Sequence, residues 1–262
     1  MRGLIAIYRK EMGHYFVSPI AYMVSGAFLL ITAIHFNRAL AVLMERALQA
    51  GMQGMQYGRI PEMDVPGMVL RASFDFVGTL LFFMAPMLTM GMYPDERKRG
   101  TMELLMTSPL RELDIVLGKF CATLSFLAVM LLPTALYQVA MFLASEPRPP
   151  WRLLLTGYLG VLLLGGVLIA LGSFLSSLTE NQIIAAVLTF IAILILVLLN
   201  FLASGSSSGL GEVLQYCSIM RHFDDFTRGV IDTSSLVFYL SLIGLFLLLT
   251  QRSVDALRWR RA

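Results

Sequence analysis

Charged side chains are scarce in this chain: 20 Lys and Arg and 17 Asp and Glu make up only 14% of its 262 residues. A soluble domain carries about 25% charged residues, so a water-facing globule of this length is excluded. The net charge of +3 and pI near 9.0 are too slight for a nucleic-acid surface and bear on orientation at lipid headgroups instead. Cysteine occurs twice, at Cys121 and Cys217, which the topology below puts in different compartments. They are expected as separate buried thiols, not as a disulfide. Histidine occurs three times, at His14, His35 and His222, with no H-E-x-x-H pair, which disfavours a metal hydrolase. Gly118-Lys119 has Leu113 where a P-loop needs glycine, and Phe120 where it needs Ser or Thr, so the chain has no nucleotide-binding loop. The G-x-S-x-G match at residues 205–209 follows a membrane span in a low-complexity linker, with no strand before it to form a nucleophile elbow. Acids and bases are nearly absent from the middle of the apolar runs. A charge at the bilayer centre costs about 2.5–3.5 kcal/mol, so an ion or proton pathway would be visible there. His35, Gln138 and Asn200 are the polar exceptions and are expected in interhelical hydrogen bonds.

What the chain has is apolar sequence, 57% of its residues, with a mean hydropathy of +0.75. The runs predict an all-α polytopic membrane protein, a single domain over 1–262 with six spans: 17–37, 74–92, 115–143, 151–175, 183–201 and 234–251. Pro86 and Pro133 are expected to kink the second and third spans. Residues 1–16 place Leu4, Tyr8, Met12 and Tyr15 on one helical face, which predicts an amphipathic elbow helix lying in the membrane interface. A signal peptide is disfavoured, because the following apolar run is long and no small-residue cleavage site stands out.

Lys and Arg are more frequent in the loops that share a side with the N-terminus, so both termini are expected to be cytoplasmic. Gly166, Ala170, Ser173 and Ser177 form a small-residue face on the fourth span, suited to a subunit interface or to internal packing. The first outer loop contains Met44, Met52, Met55, Met63 and Met68. Thioethers can ligate Cu(I), but they also fill gaps, and packing is the expectation. Residues 211–232 are too short and polar to cross twice. They predict short interfacial or re-entrant helices on the extracytoplasmic side, with Val213, Leu214, Ile219, Phe223 and Phe226 inward and Asp224, Asp225 and Arg228 toward water.

One polar interruption, Tyr93 to Lys119 (YPDERKRGTMELLMTSPLRELDIVLGK), separates the second and third spans. Gly100 suits the left-handed position that ends a helix, Thr101 can cap the next one, and Glu103 favours its first turn. Pro109 disfavours helix at Ser108, leaving Met102 to Thr107 less than two turns. A helix that short, showing Met102, Leu104, Leu105 and Met106, is not stable alone in water and needs a partner surface. The plainer alternative is an inter-span loop whose basic residues follow the positive-inside bias.

The stretch ERKRGTMELLMTSP, followed by GK, resembles the loop after the second span of ABC-2 type exporter permeases. Residues 157–190 and 222–232 (HFDDFTRGVID) resemble the GldF-like permeases associated with gliding motility. The resemblance implies that 93–114 is a cytoplasmic coupling region, with Glu96, Gly100, Thr101, Glu103, Leu104, Leu105 and Pro109 contacting an ABC ATPase subunit. It implies two ATPase copies holding ATP and Mg, a second permease copy and an auxiliary extracytoplasmic GldG-like protein, in a bacterial inner membrane. This chain itself would have no catalytic, cofactor or metal residues. The expected role is the permease subunit of an ATP-driven exporter. The apolar, acid-free spans suit an amphipathic or lipid-linked cargo. Phe223, Asp224, Asp225 and Phe226 would stand at the exit or dock an extracytoplasmic partner. The alternative role is a mechanical transmitter that drives an outer partner without moving a substrate.

Overall fold

A computed structural model describes residues 2–57, 64–102, 111–146, 148–203, 216 and 218–259. Its helices are α1 (Arg2–Val17), α2 (Pro19–Tyr57), α3 (Val65–Thr89), α4 (Pro94–Lys98), α5 (Glu112–Ala144), α6 (Trp151–Ser177), α7 (Gln182–Ala203), α8 (Ile219–Thr227) and α9 (Thr233–Trp259). No strand occurs among the described residues. Five helices, α2, α3, α5, α6 and α9, are long and apolar enough to cross a membrane, and α7 adds a shorter apolar one. The chain is an all-α, multi-pass membrane protein, as its composition predicts.

Two helices run further than their apolar stretches. α2 continues through residues 38–57, where the sequence suggested a loop. That segment is rich in Ala, Leu, Met and Gln, with no proline to stop it. At 1.5 Å per residue its 39 residues measure about 58 Å. Met44, Met52 and Met55 lie exposed along it. α3 begins at Val65 because Asp64 caps it, accepting the Gly67 N–H at 3.0 Å.

α6 is the axis of the molecule and packs against α3, α5, α7, α8 and α9. Its glycines make this possible. A Cβ on Gly157 would lie 2.2 Å from the Phe74 ring, and one on Gly165 would lie 2.3 Å from Leu127. Ala170, Ser173 and Ser177 are fully buried, and a Cβ on Gly166 would meet Ile243 at 3.0 Å. The small-residue face is therefore used for packing within the chain.

α2 and α9 are mostly open, and α7 presents the exposed row Ile184, Val187, Ile191 and Ile195. Apolar faces of that extent are stable in hydrocarbon, not in water. The expected interhelical hydrogen bonds of His35 and Gln138 are not complete. His35 stacks on Phe76 with centroids 3.8 Å apart. Its Nδ1 and the Oε1 of buried Gln138 find no partner among the described residues. Asn200 keeps its helical backbone, but its side chain lies outside what is described.

α4 lies against the Ser177 end of α6, whereas α8 lies against Gly160, near the other end. The 17 positions between them correspond to about 26 Å. The two polar segments singled out in the sequence thus occupy opposite ends of the bundle.

Candidate functional site

α4 is only five residues long, started by Pro94 at its first turn and ended before Gly100, whose φ of +68° lies in the left-handed region. Successive helical side chains point about 100° apart, so neighbours in sequence reach different neighbours in space. Three consecutive residues do this here. Asp95 accepts a hydrogen bond from the Gln182 amide at the start of α7. Glu96 accepts one from Lys10 of α1 at 2.6 Å and lies 3.1 Å from Lys119 of α5. Arg97 donates to the Ser177 carbonyl at the end of α6 and reaches Glu180 at 4.0 Å. One helical turn therefore grips four other helices.

Lys119 is the buried centre of this knot, with a side chain only 2% exposed. Its ammonium donates to Glu11 and to the Met92 carbonyl, both at 2.8 Å, and lies 5.5 Å from the Tyr93 ring centroid. With Lys10 on the exposed side, two cations face Glu11 and Glu96, and the cluster is neutral. Burial alone would push the Glu96 carboxyl up, but Lys119 and Lys10 outweigh it and hold it below the usual carboxylate range. A cleft of about 390 Å³ opens beside the cluster, lined by Lys10, Glu11, His14, Asp95, Glu96 and Arg99 among others.

α1 is held to α5 along one row: Ile7, Glu11 and Tyr15, spaced four residues apart. Gly118 lets Ile7 approach, since a Cβ there would lie 2.8 Å from its methyl carbon. Tyr15 bonds the Thr123 hydroxyl at 2.9 Å and donates to the Leu88 carbonyl at 3.2 Å, and its ring stacks on Phe126. Ile7 is the buried residue of this row; Glu11 and Tyr15 are half-buried, as are Leu4, Tyr8 and Met12 beside them.

The expected coupling residues divide. Glu96 is turned inward and holds the knot, so its carboxylate is spent inside the chain. Gly100 has the left-handed conformation expected of it. Thr101 donates to the Glu96 carbonyl at 3.3 Å, which fixes the start of the next segment to α4. Met102 is buried. Glu103, Leu104, Leu105 and Pro109 lie outside the described residues.

The expected exit set also divides. Phe223 and Phe226 are buried against Gly78 and Gly160, because α6 and α3 leave room there. Asp224 and Asp225 are both partly exposed; Asp224 pairs with Arg228, and Asp225 accepts from Ser235 at 3.1 Å. Val213 and Leu214 lie outside the described residues. These four residues do not form one surface: the two rings face the chain's own helices.

Sequence reasoning counted Lys10, Arg97 and Lys119 only as orientation charges and passed over Glu11 and Gln182. The G-K pair offered a signal: glycine where a helix must approach, followed by a cation one position deeper than the loop. Which acid it meets, 108 residues away, is not legible from one sequence. Among the described residues no group of three His, Cys, Asp or Glu side chains could hold a metal ion.

No curated protein matches the chain in a sequence comparison. The family described as ABC-2 family transporter protein matches residues 5–254, nearly its full length. A multi-pass helical bundle is consistent with such a membrane protein. The chain belongs to the ABC-2 transporter family, as a membrane permease subunit.

Proposed function

We propose that this permease transmits ATPase movement through α4 into the membrane helices of a GldF-like exporter. The observation that carries this reading is the grip of Asp95, Glu96 and Arg97 on α7, on α1 with α5, and on α6. A push on the segment 101–110 reaches all of these helices through one short rigid turn. Glu103, Leu104, Leu105 and Pro109 form the contact with the ATPase, and Gly100 and Thr101 set its angle.

The complex contains two permease copies and two ATPases in a bacterial inner membrane, with both permease termini cytoplasmic. The exposed apolar faces of α2, α7 and α9 leave room for a second copy as well as lipid. An auxiliary extracytoplasmic GldG-like protein meets the opposite end, where Asp224 is open. The cargo is amphipathic or lipid-linked, since apolar spans offer no compensation for a hydrated ion. Reconstitution of the complete complex in vesicles tests this. A cargo-stimulated ATPase accompanied by flux supports export; hydrolysis with no flux supports the mechanical transmitter instead.

A further inference from the structure

At the end of the bundle opposite α4, a cavity of about 910 Å³ lies between α2, α3 and α5. Helical spacing builds its walls. Phe36, Leu40, Met44 and Leu48 recur every four residues and line it from α2, while Tyr137, Met141 and Ala144 line it from α5. The Phe36 and Tyr137 rings, with centroids 4.6 Å apart, stand at the end nearer the middle of the bundle. The start of α3 and the end of α5 supply a polar mouth of Asp64, Ser145 and Glu146. The charge there has one sign, since no Lys, Arg or His lines the cavity. Asp64 uses one carboxylate oxygen on the Gly67 N–H. Both acids are exposed, and neither forms an ion pair with another described residue. A largely apolar volume of about 300–1,000 Å³ with a few polar groups is how ligand pockets are built, and here the charged groups are anionic.

Depth decides which kind of ligand fits. With Pro19 at one membrane boundary, Phe36 lies about 26 Å along α2 and Leu48 about 44 Å. α5 ends at Ala144, about 10 Å beyond Tyr137. The hydrocarbon is about 30 Å thick, and the bilayer with its headgroups about 40–45 Å. The aromatic end of the cavity therefore falls in hydrocarbon, and the carboxylate mouth falls among headgroups.

We infer that this cavity is a lipid site, which holds an acyl chain along its apolar walls and a terminal ammonium headgroup between Asp64 and Glu146. An ionised carboxylate only accepts hydrogen bonds, and a charged N–H donor makes the strong ones. An anionic headgroup would instead meet like charge. A soluble partner would have to push an apolar segment down to hydrocarbon depth, where a lipid chain already lies. The bound lipid ties the outward half of α2 to α3 and α5. Because the site lies within one copy and far from α4, it stands whether the complex exports a cargo or only transmits movement.

Native mass spectrometry of the full-length permease in a mild detergent tests this, with equal amounts of dioleoyl phosphatidylethanolamine and dioleoyl phosphatidylglycerol added. The two lipids share their chains, and only the first has a headgroup ammonium. The wild type should retain one phosphatidylethanolamine about fivefold over phosphatidylglycerol, the scale of two exposed ion pairs. Asp64→Asn combined with Glu146→Gln should bring the two lipids to parity. Asparagine caps a helix about as well as aspartate, so α3 keeps its start in that variant. Ala144→Trp fills the cavity and should abolish the preference by removing room for the chain. Equal retention of the two lipids by the wild type would overturn the proposal. So would a preference that survives in the double variant or in Ala144→Trp. Retention of neither lipid would also overturn it, and would leave the cavity to water or to a polypeptide.

Discussion

Lys119→Met is the sharpest perturbation of the knot around α4. Methionine keeps the length and the apolar stem of lysine while removing the ammonium. Three close partners lose it together: Glu11 and the Met92 carbonyl at 2.8 Å, and Glu96 at 3.1 Å. Glu96 keeps Lys10 at 2.6 Å, but Glu11 is left with Lys10 at 3.9 Å, and that lysine is half-exposed. Breaking a buried pair by removing one partner costs about 3–5 kcal/mol, because a charge stays buried without compensation. In a chain of this size 1 kcal/mol lowers Tm by about 2–4 °C, so the expected loss is roughly 6–20 °C. Differential scanning fluorimetry in detergent reads it directly. Adding Glu11→Gln and Glu96→Gln to Lys119→Met removes the stranded charges and should restore more than half of the loss. A single variant melting within about 2 °C of wild type, equivalent to less than about 1 kcal/mol, would refute the reasoning.

Gly157→Ala should destabilise by about 1–3 kcal/mol through overpacking against Phe74, whereas Gly13→Ala, with open space around it, should be neutral or slightly stabilising. The same melting assay compares them, and equal effects would contradict the close approach of α3 and α6. Tyr239→Phe strands the Ile219 carbonyl, bonded at 2.8 Å, and should cost about 1–3 kcal/mol together with faster amide exchange in α8. With Cys121 and Cys217 replaced by Ser, single cysteines at Ser207 and Ala262 should label from opposite sides with an impermeant reagent, and same-side labelling would contradict the proposed topology.

The apolar runs made the spans legible, because hydrophobic length is read one residue at a time. The extension of α2 to Tyr57 was not, since helix formers outside an apolar run carry no hydropathy signal. Gly100 was legible from local chemistry: a glycine after a charged turn needs no tertiary information. Lys119 was not. Its loop-edge position reads as a solvated cation, and it is buried by contacts distant in sequence, from α1, Met92, Tyr93 and Glu96. Phe223 and Phe226 were read as inward, and they are. What the sequence does not show is that Gly78 and Gly160, far away in the chain, make the pockets that hold them.

The most direct test of the central claim is the Leu104→Asp variant of the permease, coexpressed with its ATPase, purified through the permease and assayed for bound ATPase and hydrolysis. The account predicts a correctly inserted permease that melts as wild type does, yet loses the ATPase or its coupled hydrolysis. Lys119→Met should behave differently, keeping the ATPase bound while transmission fails, because it loosens the knot behind an intact contact. Undiminished copurification with unchanged hydrolysis in Leu104→Asp would contradict the claim that α4 and the segment following it carry the coupling.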